Sequence, residues 1–214
     1  MSSYNLEVME EAKRYNRFLL GLVLPLARGK RVLDFGAGSG TFARRLVAQG
    51  VDVTCVEPDA GLLKDAHRNT AGLADQSFDL VYSFNVLEHI EDDGAALVEL
   101  RRVLKPAGAL VLYVPAFMVL YSAMDRQVGH LRRYRRRPLK QVVEGAGFAV
   151  DEVRYADSLG FLAALAFRAL GPSSGELNPR AVRLYDQCVF PLSRVLDLAF
   201  GRVAGKNIVL YAHR

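Results

Sequence analysis

The stretch Val32-Leu-Asp-Phe-Gly-Ala-Gly-Ser-Gly40 decides the fold. Its apolar run ends in three glycines at alternate positions. Phe42, Leu46 and Val47 follow at helical spacing, so the stretch reads as strand, tight turn and helix. Gly36, Gly38 and Gly40 lack Cβ atoms where backbone must turn with positive φ or approach a ligand. The helix opening near Thr41 points unpaired N–H groups at the same place, which makes a nucleotide-binding corner.

Spacing separates two cofactor classes. A dinucleotide fingerprint, G-x-G-x-x-G, would need its third glycine at Thr41, whereas this chain has Asp34-x-Gly36-x-Gly38-x-Gly40. A carboxylate two residues before the first glycine repels a pyrophosphate but suits a ligand carrying an ammonium and a sulfonium. Glu57 ends the next apolar run, Val51 to Val56, where an acid can accept both hydroxyls of a ribose. On these residues the chain resembles the class I S-adenosylmethionine-dependent methyltransferases. The resemblance implies an α/β, Rossmann-like, doubly wound and mostly parallel seven-stranded sheet, with S-adenosylmethionine as cofactor. It also implies cofactor contacts from Asp34, Gly36, Ala37, Gly38, Gly40, Glu57 and Pro58.

At 214 residues and 51% hydrophobic, the chain can bury one full core, so 1–214 reads as a single domain. Cys55 and Cys188 have apolar neighbours, and no apolar h-region precedes the charged stretch Glu7 to Arg17. The expectation is a reduced, cytoplasmic protein, with the inner face of the membrane as a further location. Net charge is +5, yet residues 126–140 hold seven Lys/Arg and no acid. The basicity is therefore one local patch, which does not indicate a nucleic-acid footprint.

Residues 7–27 carry Val8, Ala12, Tyr15, Phe18, Leu19, Leu22, Val23 and Leu26 at helical spacing. By resemblance, Tyr15-Asn16 lie near the methionine end of the cofactor; the other reading makes Tyr15 core and Asn16 solvated. Strands are expected at 31–35, 51–57, 78–84, 109–115, 148–155 and 207–213, and helices at 41–49, 59–68, 92–104 and 138–146. Only Asn69 to Gln76 remain for the strand the family usually places third, so that strand is short or missing, and Asp75 stands as the adenine contact. Asn85-Val-Leu-Glu-His-Ile90 resembles the family's motif after the following strand. It implies Asn85 and Val86 beside the sulfonium, with Glu88 and His89 opening the next turn and His89 structural rather than basic.

Residues 116–137 form an expected acceptor-side loop at the carboxyl edge of the sheet. Its Gly129-His-Leu-Arg-Arg-Tyr134 string resembles one bacterial branch of the family. His130 is the candidate base, with Asp125 or Tyr134 as orienters. Arg133, with Arg132, would hold an acceptor's anionic group, and Arg135 to Arg137 would face solvent or lipid headgroups. A solvated basic face is the plainer reading. Residues 157–205 read as a helical insertion before the last strand, holding two apolar pieces, 159–170 and 188–203. Both fall short of the roughly 18 unbroken apolar residues of a membrane span, so they should cover a site, a homodimer face or a membrane surface.

A sulfonium methyl needs mainly alignment for in-line displacement. The expected acceptor is a small molecule, anionic or lipid- or sugar-linked. Glu88, Glu91, Asp92 and Asp93 are the only carboxylates near the fourth strand, so no metal is expected. Three rivals remain. A nicotinamide dehydrogenase conflicts with the glycine spacing and Asp34, and a non-catalytic cofactor-binding or scaffold protein would not need Asp34, Glu57 and Asn85 together. A nucleic-acid amino-methylase would carry an Asn/Asp-Pro-Pro-Tyr/Phe motif, where this chain has Asn85-Val-Leu-Glu.

Overall fold

Strand β1, Arg31–Phe35, lies between β2, Asp52–Val56, and β3, Phe78–Phe84, and pairs with both in parallel. The computed structural model to which these elements belong describes residues 3–56, 70, 72–170 and 174–214. The sheet continues through β4, Leu104–Pro115, β5, Ala149–Ala156, and β6, Asn207–His213, in the order β2-β1-β3-β4-β6-β5. β6 runs antiparallel to both β4 and β5. Six strands are present among the described residues where seven were expected. No strand stands between β2 and β3 there, and the expected helix 59–68 lies outside the described residues.

Near-continuous apolar sequence in β1 and β3 follows from cover on both faces. Leu33, Val81, Leu112 and Leu210 point to one core with Leu97, Leu100, Leu139 and Val143. These come from α4, Asp93–Val103, and α6, Arg136–Gly145. Val32, Leu80, Tyr82, Val111 and Tyr113 point the other way, onto Leu19, Leu22 and Val23. Those three lie on α2, Lys13–Ala27.

The single helix expected over 7–27 is two, α1, Ser3–Glu10, and α2, with a break at Glu11 and Ala12. Asp186, buried and far along the chain, explains the break: its carboxylate accepts from the backbone N–H groups of Arg14 at 3.0 Å and Tyr15 at 2.8 Å. Those donors have no partner inside the helix, and a carboxylate there complements the helix dipole. β4 begins five residues before the expected 109, because Lys105-Pro-Ala-Gly108 forms a bulge inside it. Ala107 holds φ +59° in that bulge, a conformation that suits the glycine of the related turn better.

The loop 116–137 carries a short helix, α5, Ala123–Val128, closed at its start by a capping box between Ser122 and Asp125. Helix α3, Thr41–Val47, follows the glycine corner. Residues after β5 form α7, Ser158–Leu170, α8, Pro179–Leu184, a π-helical turn at Tyr185–Val189, and α9, Phe190–Phe200. The expected helical insertion is therefore present, with more helix than its two apolar pieces suggested. Asp197 of α9 accepts from the backbone N–H groups of Asp157 at 3.0 Å and Ser158 at 2.8 Å, fixing the start of α7 to the sheet edge. Both cysteines are free and exposed, despite their apolar neighbours in sequence.

Candidate active site

The carboxyl edge of β1 and β3 builds the corner. Gly36 has φ +87°, and a Cβ placed on it would lie 2.1 Å from Cγ2 of Val86. Only a residue without a side chain lets the β1 turn and the β3 turn touch. Gly38 differs: among the described residues a Cβ there would meet nothing within 4 Å. Ser39 and Thr41 hydroxyls donate to the Glu10 carboxylate at 3.2 and 2.9 Å, which holds the turn against α1.

Asp34 is buried at the end of β1, opposite Cys55 and Tyr82. Burial and the neighbouring Asp34 carboxylate push the Tyr82 phenol's pKa up. Asn85 takes φ +55° and donates its N–H to Tyr113 O at 2.7 Å, turning β3 toward the corner. The Tyr15 ring packs edge-on against Phe190 and Tyr113, with centroids 5.4 and 6.1 Å away. Burial raises its pKa, and the Tyr113 hydroxyl and Asn85 amide are its polar neighbours. Tyr15, Asp34, Gly36, Ala37, Gly38, Gly40, Asn85 and Val86 thus gather at one sheet edge. A glycine turn beside a buried carboxylate fits a ligand with a cationic head. Asn16 is buried, not solvated; its amide donates to Met9 O and closes the break before α2. Glu57 and Pro58 lie outside the described residues.

Asp75 corrects one expectation. It precedes β3 and so stands at the amino end of the parallel strands, away from the corner, where it pairs with Arg102. An adenine contact from there would need the ligand on the wrong edge.

The acceptor-side loop does bring its candidates together, but with different partners. His130 Nδ1 meets Asp125 Oδ1 at 2.7 Å, and its Nε2 turns to Glu88 Oε1 at 3.6 Å. Arg133 donates from Nε and Nη2 to Asp125 at 2.8 and 3.1 Å and from Nη1 to Ala116 O; its side chain is 7% exposed. Three of its five N–H donors are thus committed, and Asp125 answers its charge. The Tyr134 hydroxyl donates its one proton to Asp93 Oδ2 at 2.9 Å, with Leu87 O at 3.2 Å as the alternative acceptor, inside the core and turned away from His130. Arg132 pairs with Asp93 and donates to Glu91 O, and Arg136 donates to Arg202 O. Exposed Arg135 keeps its charge for solvent or ligand and lines a cavity of 460 Å³ with Arg132, Met118 and Pro138.

Electrostatics follow from this packing. Burial alone would raise the Asp125 pKa, but the His130 ring and Arg133 guanidinium hold it well below the usual carboxylate range. Burial pushes Glu88 up to about 8, and burial with the adjacent His130 pushes His89 down to about 4. Lys206, which no sequence pattern singles out, sits just before β6 at the same sheet edge. Burial lowers its pKa, and Asp157, Arg133 and Asp125 are the charges that act on it.

On the outside, α7 and α9 expose Leu162, Leu170, Leu192, Val195 and Leu198. Met118 and Val119 continue that surface, where Arg168 donates to Val119 O. Among the described residues no helix is long and apolar enough to cross a membrane.

Known proteins agree with this architecture. A family model described as a methyltransferase domain matches residues 8–153. An uncharacterized methyltransferase of Mycobacterium ulcerans (strain Agy99) is 31% identical over 173 residues, 68% of this chain and 68% of that protein. A malonyl-[acyl-carrier protein] O-methyltransferase of Enterobacter lignolyticus (strain SCF1) is 29% identical over 177 residues, covering 72% and 70% of the two chains. The chain thus spans about two thirds of the length of such relatives. In fold, it superposes on a SAM-dependent methyltransferase from Archaeoglobus fulgidus with TM-score 0.62 at 19% identity, over 93% of this chain and 94% of that one. A Burkholderia thailandensis N1-methyltransferase crystallised with S-adenosylhomocysteine aligns with TM-score 0.54 at 18% identity, over 95% and 78%. A domain match across most of the sheet, joined to a glycine corner built for a cationic ligand, makes this chain a member of the class I S-adenosylmethionine-dependent methyltransferases.

Proposed function

We propose that the chain, acting as one domain over 1–214, methylates a small molecule carrying an acidic group, and that Lys206 holds that group. The observation behind this reading is the Lys206 ammonium, which makes no hydrogen bond or ion pair among the described residues while burial disfavours its charge. A desolvated cation that Asp157 and Asp125 influence only from beyond ion-pair distance still attracts an anion from outside. When bound at the corner, S-adenosylmethionine supplies a methyl already activated for displacement, so the chain's work is alignment. Asp34, Gly36, Ala37, Gly38 and Gly40 bind, with Asn85, Val86 and Tyr15 walling the transferable end. Lys206 and exposed Arg135 take over the role that the sequence assigned to Arg133 and Arg132. An acceptor that reacts through a carboxylate or phosphate oxygen requires no base.

Comparing turnover of small carboxylates and phosphates with their neutral analogues tests the reading, scored by S-adenosylhomocysteine formation. Lys206→Met should raise the acceptor KM about 10- to 100-fold, the weight of one charge-assisted hydrogen bond, and leave cofactor affinity unchanged by calorimetry. Equal turnover of neutral and acidic acceptors, or an unchanged KM in the variant, rejects it.

The exposed apolar face of α7 and α9 supports a lipid-linked acceptor. Its extension through Met118 reaches the Arg135 cavity, so apolar surface and positive charge are contiguous, as at a membrane of anionic lipid. The chain should co-sediment with phosphatidylglycerol vesicles and not with phosphatidylcholine, and Leu198→Asp with Leu170→Asp should abolish that. A stable dimer by light scattering that ignores both vesicles would give the face to a second copy instead.

A further inference from the structure

One cluster at the end of β3 has no part in the methyl-transfer reading. Glu88 is wholly buried, and neither carboxylate oxygen has a hydrogen-bond partner among the described residues. His89, 9% exposed, leaves Nε2 without a partner among the described residues. A carboxylate and an imidazole nitrogen are rarely left unsatisfied side by side in a protein interior unless a cation belongs between them.

The outer contacts of the two histidines settle where their lone pairs point. His89 Nδ1 lies 3.2 Å from Gly129 O, and His130 Nδ1 lies 2.7 Å from Asp125 Oδ1. Both oxygens only accept, so each Nδ1 carries a proton and Nε2 is the ring nitrogen that each histidine turns inward as a ligand. Metal-binding histidines are held in this way, by a carbonyl or carboxylate on the far nitrogen. The donor atoms of Glu88, His89 and His130 all lie within 4.8 Å of one another, and the Glu88 to His130 separation is 3.6 Å. Two ligands of a tetrahedral ion with bonds of about 2.1 Å stand about 3.4 Å apart. The nearby Arg133 guanidinium makes no hydrogen bond to Glu88; three of its donors go to Asp125 and Ala116 O, and Asp125 balances its charge.

We propose that Glu88, His89 and His130 bind one divalent transition-metal ion and thereby fasten the acceptor-side loop to the end of β3. Two imidazoles and one carboxylate suit Zn²⁺, Co²⁺ or Fe²⁺, whereas Mg²⁺ and Ca²⁺ prefer oxygen alone. The expectation that metal required clustered carboxylates looked at Glu88, Glu91, Asp92 and Asp93. The ligands here are one of those acids and two histidines, 41 residues apart at His89 and His130.

Protein stripped with a chelator and dialysed is titrated with Zn²⁺ and, separately, Co²⁺. One equivalent should bind, with the intense visible absorption of low-coordinate Co²⁺. Glu88→Gln and His130→Gln should each weaken Zn²⁺ at least 100-fold, and Asp125→Asn about 10- to 100-fold through the loosened His130 ring. His213→Gln, at an exposed histidine paired with Asp151, should change nothing. X-ray absorption at the zinc edge of the wild-type protein should count two imidazoles, a measurement that does not depend on any variant folding. Absence of stoichiometric binding in the wild type, binding unchanged by Glu88→Gln, or a zinc spectrum without imidazole overturns the site. None of these readouts involves methyl transfer, so failure of the metal site and failure of the Lys206 reading are separate results.

Discussion

Gly36→Ala is expected to remove S-adenosylmethionine binding and to lower stability by about 2–5 kcal/mol, combining left-handed backbone strain with overpacking. The new methyl would sit 2.1 Å from Cγ2 and 2.9 Å from Cγ1 of Val86, closer than carbon atoms approach. Neither neighbour can retreat cheaply. Gly36 donates its N–H to Val56 O at 2.7 Å, and Val86 is packed in the core. Pairing the change with Val86→Ala separates the two costs, since truncating valine removes the clash but not the φ +87° strain. Urea denaturation of the four proteins should give a coupling of about 1–3 kcal/mol, the double variant recovering part of the loss. Additive costs would show that the β1 and β3 turns do not press on each other here.

Asp125→Ala is expected to cost about 3–5 kcal/mol, the range for removing one partner of a buried ion pair. Asp125 is 1% exposed and accepts from Ser122 N at 2.8 Å, from Arg133 at 2.8 and 3.1 Å, and from His130 at 2.7 Å. Its loss strands a guanidinium that is 7% exposed and frees the His130 ring. Removing both charges is the informative control. Asp125→Ala with Arg133→Met should be more stable than Asp125→Ala alone, because no buried charge is left uncompensated. If thermal or urea unfolding places the single variant within about 1 kcal/mol of wild type, the loop is held by something other than this pair.

The glycine corner was legible because its information is local: strand, turn and helix follow from alternate glycines and apolar spacing between Val32 and Val47. The contact that makes Gly36 obligatory joins it to Val86, fifty residues on, and no periodicity reports such a touch. The arginines' pairing was not legible for a related reason. Counting charge in 126–140 shows a field, but pairing decides which charges remain available, and Arg133 and Arg132 are answered by Asp125 and Asp93. One warning was present, since Ser122-x-x-Asp125 is a capping-box pattern and marks Asp125 as a structural carboxylate. Lys206 carried no pattern at all; its place beside β4 and β5 exists only once the last strand is inserted. The split of the first helix also depended on a distant group, Asp186, which lies in the insertion.

The position of β6 governs the order in which this chain can be assembled. The final strand fills the slot between β4 and β5, exchanging antiparallel bonds with both from Asn207 to His213. Until those residues leave the ribosome, β4 has an open edge and β5 has no neighbour to join. The amino-terminal half can therefore mature around β1, β2, β3 and β4 early in synthesis, with α6 packing on that core, while β5 waits for β6. A ribosome stalled before Asn207 would hold a nascent chain with a bare strand edge, a ready target for holdase chaperones.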